Sequence, residues 1–308
     1  MFNFKDDMSL LVTGSIGIDT VKTPFGVSKD CVGGSAVYFS MAASFFTPVR
    51  FVGVIGADCP FDLHKVFRGR DVDLAGLEVR KESRTFRWAG SYEGTMNEAS
   101  TDAVELNVLA EAPPRVPEKF RDSKFVFLAN THPALQQQLL SQIDKPEFVA
   151  ADTMNLWINH EKDQLKKLLK KIDAIVLNDG EARLLTGEHN TVSAAIKILD
   201  IGLNTVIIKK GEFGSMVMNK DGGIFMLPAY PTAKVIDPTG AGDSFAGAMM
   251  GYLASAGKAD METLSTAMAY GTVAASLNIE GFSLESISKR TKQDIEERYK
   301  QLKRMTSF

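Results

Sequence analysis

Short apolar runs separated by polar, glycine-bearing loops organise this chain. Residues 8–13 read as a first buried strand that gives out at Gly14-Ser15-Ile16-Gly17-Ile18-Asp19. A helix is expected over residues 31–46, with Ser40, Ala42 and Ala43 forming a small-residue face, and residues 50–58 read as strand then turn. From 85 to about 109 polar and bulky residues alternate, clearly from Thr85 through Trp88 to Tyr92 and more weakly over 101–106. Such alternation predicts half-exposed antiparallel strands. Pro113, Pro114 and Pro117 then mark a return to different patterning. Beyond residue 124, strand-like runs at 125–129, 148–151, 174–177 and 205–208 alternate with helical stretches. That is the mark of a parallel sheet with helical crossovers. Polar clusters follow these strand ends in turn: Asn130-Thr131-His132, Asp152-Thr153-Met154-Asn155, Asn178-Asp179-Gly180-Glu181 and Lys209-Lys210-Gly211. Open α/β sheets bind their ligands at such ends. The expected fold is therefore a doubly wound α/β domain spanning residues 1–308, with a small sheet built from about 15–30 and 85–110.

Composition narrows the functional classes. The 308 residues are 44 % hydrophobic and 24 % charged, enough for one large core and a smaller appendage. A net charge of −3 argues against a nucleic-acid or membrane-surface binder, and the basic runs at Lys166-Lys167 and Lys170-Lys171 fall in mixed-charge helical stretches. Two cysteines, Cys31 and Cys59, and four scattered histidines argue against a disulfide framework or structural zinc site. Lys5, Asp6 and Asp7 and the break at Thr13 and Gly14 do not fit a signal peptide, and no apolar stretch approaches a membrane span of about 20 residues. A cytoplasmic location is the expectation. No Ser/His/Asp or Cys/His constellation supports a hydrolase, and His132 reads as an incidental surface histidine.

The most informative stretch is Asp237-Pro238-Thr239-Gly240-Ala241-Gly242-Asp243-Ser244, entered from an apolar run at 233–236. Helical spacing follows it (Phe245, Met249, Met250, Tyr252, Leu253). A strand-like approach, a glycine turn and a helix start point unpaired N–H groups, with the positive end of the helix dipole, at an anion. Asp243 would repel a resting phosphate. Its presence makes chemical sense if it removes a proton from a hydroxyl while the neighbouring N–H groups stabilise a transferring phosphoryl group. The competing structural reading is an ordinary capped helix, against which stand the small residues Ala246, Gly247 and Ala248 that let the helix pack closely.

Residues 237–250 fit throughout the C-terminal signature of the ribokinase-like (PfkB-type) carbohydrate kinases, and the chain resembles that family over essentially its whole length. The resemblance implies a kinase that uses ATP and Mg²⁺ to phosphorylate a hydroxyl, a primary alcohol, of a sugar or nucleoside. It implies Asp243 as base and the N–H groups of Gly240, Ala241 and Gly242 as anion hole. It assigns Asp19, Gly33 and Gly34 to the acceptor, with turn stabilisation as the alternative for Asp19. Tyr38 stands where the family commonly has Asn, so it either lines a roomier acceptor pocket or belongs to the core. Asn178 and Glu181 match the family's Asn-x-x-Glu motif, with Glu181 holding Mg²⁺ through water and Asn178 near the phosphates; helix capping is the alternative. Asp152 and Asn155 resemble a polar pair of that region.

Gly211 and Gly214 resemble the Gly-x-x-Gly segment beside the nucleotide. Lys209 replaces a usual Thr two residues earlier, and either reaches the donor phosphates or is a solvated strand-end lysine. The helix before Asn278 and the loop to Gly281 resemble those flanking the adenine. The small sheet resembles the family's lid, and Trp88 and Tyr92 are open to packing on substrate or on the lid of a second subunit in a homodimer. The resemblance also admits K⁺, bound by backbone carbonyls. Tyr38 and Trp88 favour a nucleoside-like or larger acceptor without deciding it. The competing class is a catalytically inactive nucleotide- or sugar-phosphate-binding regulator of the same fold, against which the presence of Asp243, Gly240 and Gly242 argues.

Overall fold

The computed structural model describes residues 9–307. Lys5, Asp6, Asp7 and the first residue of the first expected strand, Met8, lie outside them. In chain order the strands of the first half are β1 (Leu10–Thr13), β2 (Gly17–Thr23), β3 (Gly26–Gly33), β4 (Val49–Gly56), β5 (Val72–Arg80), β6 (Phe86–Tyr92) and β7 (Ala99–Glu105). Helix α1 (Ser35–Ala43) and the single turn α2 (Leu63–Val66) lie among them. The alternating half follows as β8 (Phe125–Leu128), α3 (Pro133–Leu140), β9 (Phe148–Asp152), α4 (Asn155–His160), α5 (Lys162–Leu169), β10 (Ala174–Asn178), α6 (Asp179–Thr186), α7 (Thr191–Leu199) and β11 (Thr205–Lys209). A hairpin, β12 (Ser215–Asn219) and β13 (Ile224–Leu227), precedes the helices α8 (Ala241–Ala256), α9 (Met261–Asn278) and α10 (Lys292–Met305).

Nine strands form one sheet in the order β13-β12-β11-β10-β9-β8-β1-β4-β5. All neighbours are parallel except the β11–β12 and β12–β13 pairs at one edge. Alternation along the central strands splits the core in two. Leu10 and Val12 pack with Phe39, Met249, Met250 and Val273 from α1, α8 and α9. Leu11 and Val126 face the other way, onto Leu139, Leu165, Ala182 and Ile198 from α3, α5, α6 and α7. This is the doubly wound arrangement, and its continuously buried strands are what a parallel sheet covered on both faces requires.

A separate four-stranded sheet runs β3-β2-β6-β7. It joins the two stretches expected to combine, with β2 and β6 paired in parallel between two antiparallel hairpins. Two boundaries differ from expectation. Residues 31–33 finish β3, and the helix begins only at Ser35, because Gly34 turns the chain at φ 97°. The run 233–236 is an irregular loop whose Ile236 N–H donates to Ile279 O instead of a strand. Strands β5, β12 and β13 are additional. Among the described residues no helix is long and apolar enough to cross a membrane.

The contact that positions the site is between α8 and α1. A Cβ on Gly247 would run into the backbone carbonyl of Phe39, and one on Gly251 would lie 2.8 Å from that of Ala43. The two helices thus approach backbone to backbone, and the small-residue face of α1 is used here. Ala is intrinsically better than Gly inside a helix by about 1 kcal/mol, so the sign of a substitution is diagnostic. Gly247→Ala is expected to destabilise by about 1–3 kcal/mol through overpacking, and more than Gly251→Ala. Urea unfolding midpoints measure this; a stabilised Gly247→Ala protein contradicts the packing.

Candidate active site

The loop entering α8 is held from four sides. Asp237, 1 % exposed, accepts the Thr239 N–H at 2.8 Å on one carboxylate oxygen and the Ser283 N–H at 3.1 Å on the other. Asn278 donates from Nδ2 to the Thr239 carbonyl at 2.8 Å. Thr239 Oγ1 meets the Tyr92 hydroxyl of the small sheet at 3.4 Å. Below lies Tyr38: Gly240 turns at φ 72°, and a Cβ there would strike the Tyr38 ring. Only glycine meets both constraints.

This arrangement bears on three expectations. Tyr38 is 1 % exposed, its ring packed in the core under the glycine turn, while its hydroxyl has no partner and lies in the field of Asp19. Asn278 is fully buried and donates its amide N–H to the loop, while its Oδ1 has no partner. The Ala241 N–H donates to Pro238 O at 3.1 Å, closing the turn, and is withdrawn from the three expected anion-hole donors.

Asp243 stands in the first turn of α8, its carboxyl pushed above the usual range by burial while the Lys209 ammonium pulls it back down. Lys209 ends β11, and its Nζ lies 2.5 Å from where a Cβ on Gly242 would be. The strand-end lysine therefore reaches the helix start, and the solvated alternative is set aside. Two further carboxyls share the Lys209 field. Asp152, at the end of β9, is pushed well above its usual value by burial, then by Asp243, with Lys209 opposing. Glu181 is raised by burial, again with Lys209 opposing and Asp243 adding to the rise. Three carboxyls thus share the field of one ammonium.

Glu181 and Asn178 form a capping box at the start of α6: each backbone N–H donates to the other's side chain at 2.7 Å. The capping alternative is thus part of the geometry, and it fixes one Glu181 oxygen. Asp152 Oδ1 is buried without a hydrogen-bond partner. Among the described residues no three His, Cys, Asp or Glu groups stand close enough to enclose an ion. An orphaned carboxylate oxygen beside a second carboxylate suits an ion that keeps most of its waters, as Mg²⁺ does.

On the other side of the loop, Asp19 is 4 % exposed in β2. Its carboxyl is raised to about 7 by burial, then by Asp237 and Asp243, while the Gly34 N–H favours the charged form. A side chain on Gly33 would collide with this carboxylate, and one on Gly17 would come within 2.7 Å of it. Gly33 and Gly34 are therefore brought to Asp19, and Ser15 and Ser35 pin the junction through hydrogen bonds of 2.9–3.1 Å. Asp19 Oδ1 has no partner. Gly214, at φ 90°, is consumed by structure, since a Cβ would strike the Leu227 carbonyl of β13. Gly211, at φ 53°, faces Asn97 of the small sheet. His132 packs against Trp157 with ring centroids 5.2 Å apart and planes tilted by 58°, and it caps α3, with no part in this cluster. Sequence reasoning missed Asn97 and the Tyr92–Thr239 contact, because a loop residue 115 positions from its partner carries no local signal.

Comparison with known proteins agrees with this architecture. Residues 21–290 match the family described as pfkB family carbohydrate kinase. The chain is 29 % identical over 257 residues to a cytidine kinase of Thermococcus kodakarensis, covering 80 % of this chain and 88 % of that one. Its fold superposes on a Burkholderia thailandensis nucleoside kinase in complex with inosine at a TM-score of 0.76 and 20 % identity, over 96 % and 98 % of the two chains. A putative ribokinase II of E. coli in complex with ATP and Mg²⁺ superposes at 0.75 with 17 % identity, over 95 % and 99 %. Matched along most of its length by the family model and sharing its fold from end to end, the chain belongs to the pfkB family of carbohydrate kinases.

Proposed function

We propose that this enzyme transfers the γ-phosphoryl group of ATP to a primary hydroxyl of a nucleoside, with a sugar such as a pentose as the second reading. The observation that carries the chemistry is Asp243 in the first turn of α8, raised by burial and lowered by the Lys209 ammonium, which lies at the neighbouring Gly242. The nucleoside choice rests on the cytidine kinase likeness, which spans most of both chains. A regulator that has lost catalysis would have no need for a half-buried carboxylate at the start of α8 beside Gly242 and Lys209.

Asp19 accepts hydrogen bonds from the acceptor's hydroxyls and orients the one that reacts. Asp243 takes the proton from that hydroxyl as its oxygen forms a bond to the γ-phosphorus, while the bond from phosphorus to the β–γ bridging oxygen breaks and ADP leaves. The N–H groups of Gly240 and Gly242 and the Lys209 ammonium stabilise charge on the transferring group. Mg²⁺, held through water by Glu181 and Asp152, would neutralise donor phosphate charge. The four-stranded sheet acts as the lid of a single domain and excludes water, the competing acceptor.

The direct test is ADP release with Mg-ATP across cytidine, other nucleosides and pentoses. Acceptor-dependent turnover is expected, strongest with a nucleoside; ADP release that no acceptor stimulates contradicts the proposal. Asp243→Asn is expected to keep ADP affinity and lose kcat by at least about 10²-fold, and a wild-type kcat would remove Asp243 from the base role.

Asp19 adds a pH signature. Its folded value near 7, against 3.8 when exposed, means the native state binds the proton more tightly. The cost is absent below pH 4, grows between 4 and 7, and reaches on the order of 4 kcal/mol above 7. Asp19→Asn is expected to raise the melting temperature at pH 8, to lose that advantage as the pH falls toward 4, and to weaken acceptor binding. Thermal scans at several pH values check this; lower stability than wild type at pH 8 contradicts it.

A further inference from the structure

The turn between β6 and β7 reaches across the cleft to the loop after Lys209. Asn97 Nδ2 donates to Glu212 Oε1 at 2.8 Å, and the Glu212 N–H donates back to Asn97 Oδ1 at 3.4 Å. Gly211 lies so close that a Cβ would come within 2.6 Å of Asn97 Oδ1, and its φ of 53° is one glycine adopts freely. Both partners are exposed, so the pairing contributes little to the core.

Asn97 is not left to wander. Its neighbour Met96, 8 % exposed, is buried beneath the small sheet with Val21 and Tyr92, and Val235 of the loop leading to Asp237 packs against that cluster. The Met96 N–H closes the turn onto Glu93 O at 3.0 Å. The same hairpin therefore touches three parts of the site: Thr239 through Tyr92, the loop before Asp237 through Met96, and the loop after Lys209 through Asn97. Lys209 is two residues before Gly211 and carries the ammonium at Gly242. Shifting residues 211–213 would displace that ammonium from the helix start.

We infer that Asn97 and Glu212 are positioning residues that join the acceptor-covering sheet to the donor side, so that acceptor and nucleotide each favour binding of the other. This rests on the kinase reading above. Such coupling is reciprocal, and hydrogen bonds at exposed sites shift an equilibrium by about two- to tenfold. Nucleotide bound without an acceptor would then find the sheet less firmly closed, which limits loss of the phosphoryl group to water.

Two measurements on the full chain test this. The first is hydrogen–deuterium exchange of the ligand-free protein. Asn97→Ala is expected to speed exchange over residues 211–214, Glu212→Ala over 94–98, and the double variant no more than either single, as partners in one contact require. Unchanged exchange in both single variants overturns the contact. The second is calorimetric titration with Mg-ADP, with and without the acceptor returned by the turnover screen, cytidine first. The wild type is expected to bind Mg-ADP more tightly with acceptor present. Asn97→Ala should cut that enhancement by about two- to tenfold, raising KM for both substrates while kcat at saturation stays near wild type. Glu212→Gln, which keeps an acceptor oxygen, should restore the enhancement lost in Glu212→Ala. An enhancement equal in wild type and Asn97→Ala overturns the coupling. A wild type that binds no Mg-ADP overturns the kinase reading and the coupling with it, and the exchange result separates that failure from a missing contact.

Discussion

One ammonium in the field of three carboxyls, two buried and one half-buried, is the constraint on which the centre of this molecule depends. Asp152, Glu181 and Asp243 arrive from three different elements, and each carboxyl is raised by burial and opposed by Lys209. Burying like charges is costly unless something compensates them. Lys209 supplies part of that compensation, and a phosphate-bound divalent ion is the natural source of the rest. Left partly uncompensated, the cluster is a place where a cation's charge is favourable and where a carboxylate holds its proton more tightly than one in water.

That cluster exists because backbone packing fixes the start of α8. Gly247 lets α8 lie against the Phe39 carbonyl, and Tyr38, one residue earlier, fills the space beneath Gly240. Asp237, Asn278 and Tyr92 then fasten the turn from above and behind. A small shift of α1 would therefore be felt first at the N–H groups that open α8. Tyr38 departs from the resembled family's usual Asn; its ring gives this support, and its unpartnered hydroxyl lies in the field of Asp19.

Much of this was legible in the sequence because it is local. The alternating strands and helices, the glycine turn at 240–242 and the Asn178–Glu181 pair each announce themselves within a few residues. The small sheet was legible as alternation, though nothing in it dictated that β2 and β6 would run parallel. Long-range decisions were not legible. Whether Tyr38 points to a ligand or to Gly240 depends on where α8 docks, and whether Asn278 faces a base or Thr239 depends on the end of α9. The helix expected from residue 31 was delayed to Ser35 by the left-handed turn at Gly34, a choice that glycine permits but does not announce. Lys209 was readable as a departure; that its ammonium reaches Gly242 follows only once β11 and α8 are set side by side.

The pH dependence of kcat in wild type and Lys209→Met tests the shared field most directly. If Asp243 is the base and Lys209 holds its pKa down, kcat rises with pH as Asp243 ionises, and removing the ammonium moves that rise to higher pH. A rise that stays in place, or moves to lower pH, would show that the lysine and the carboxylate do not act on one another and that the base lies elsewhere.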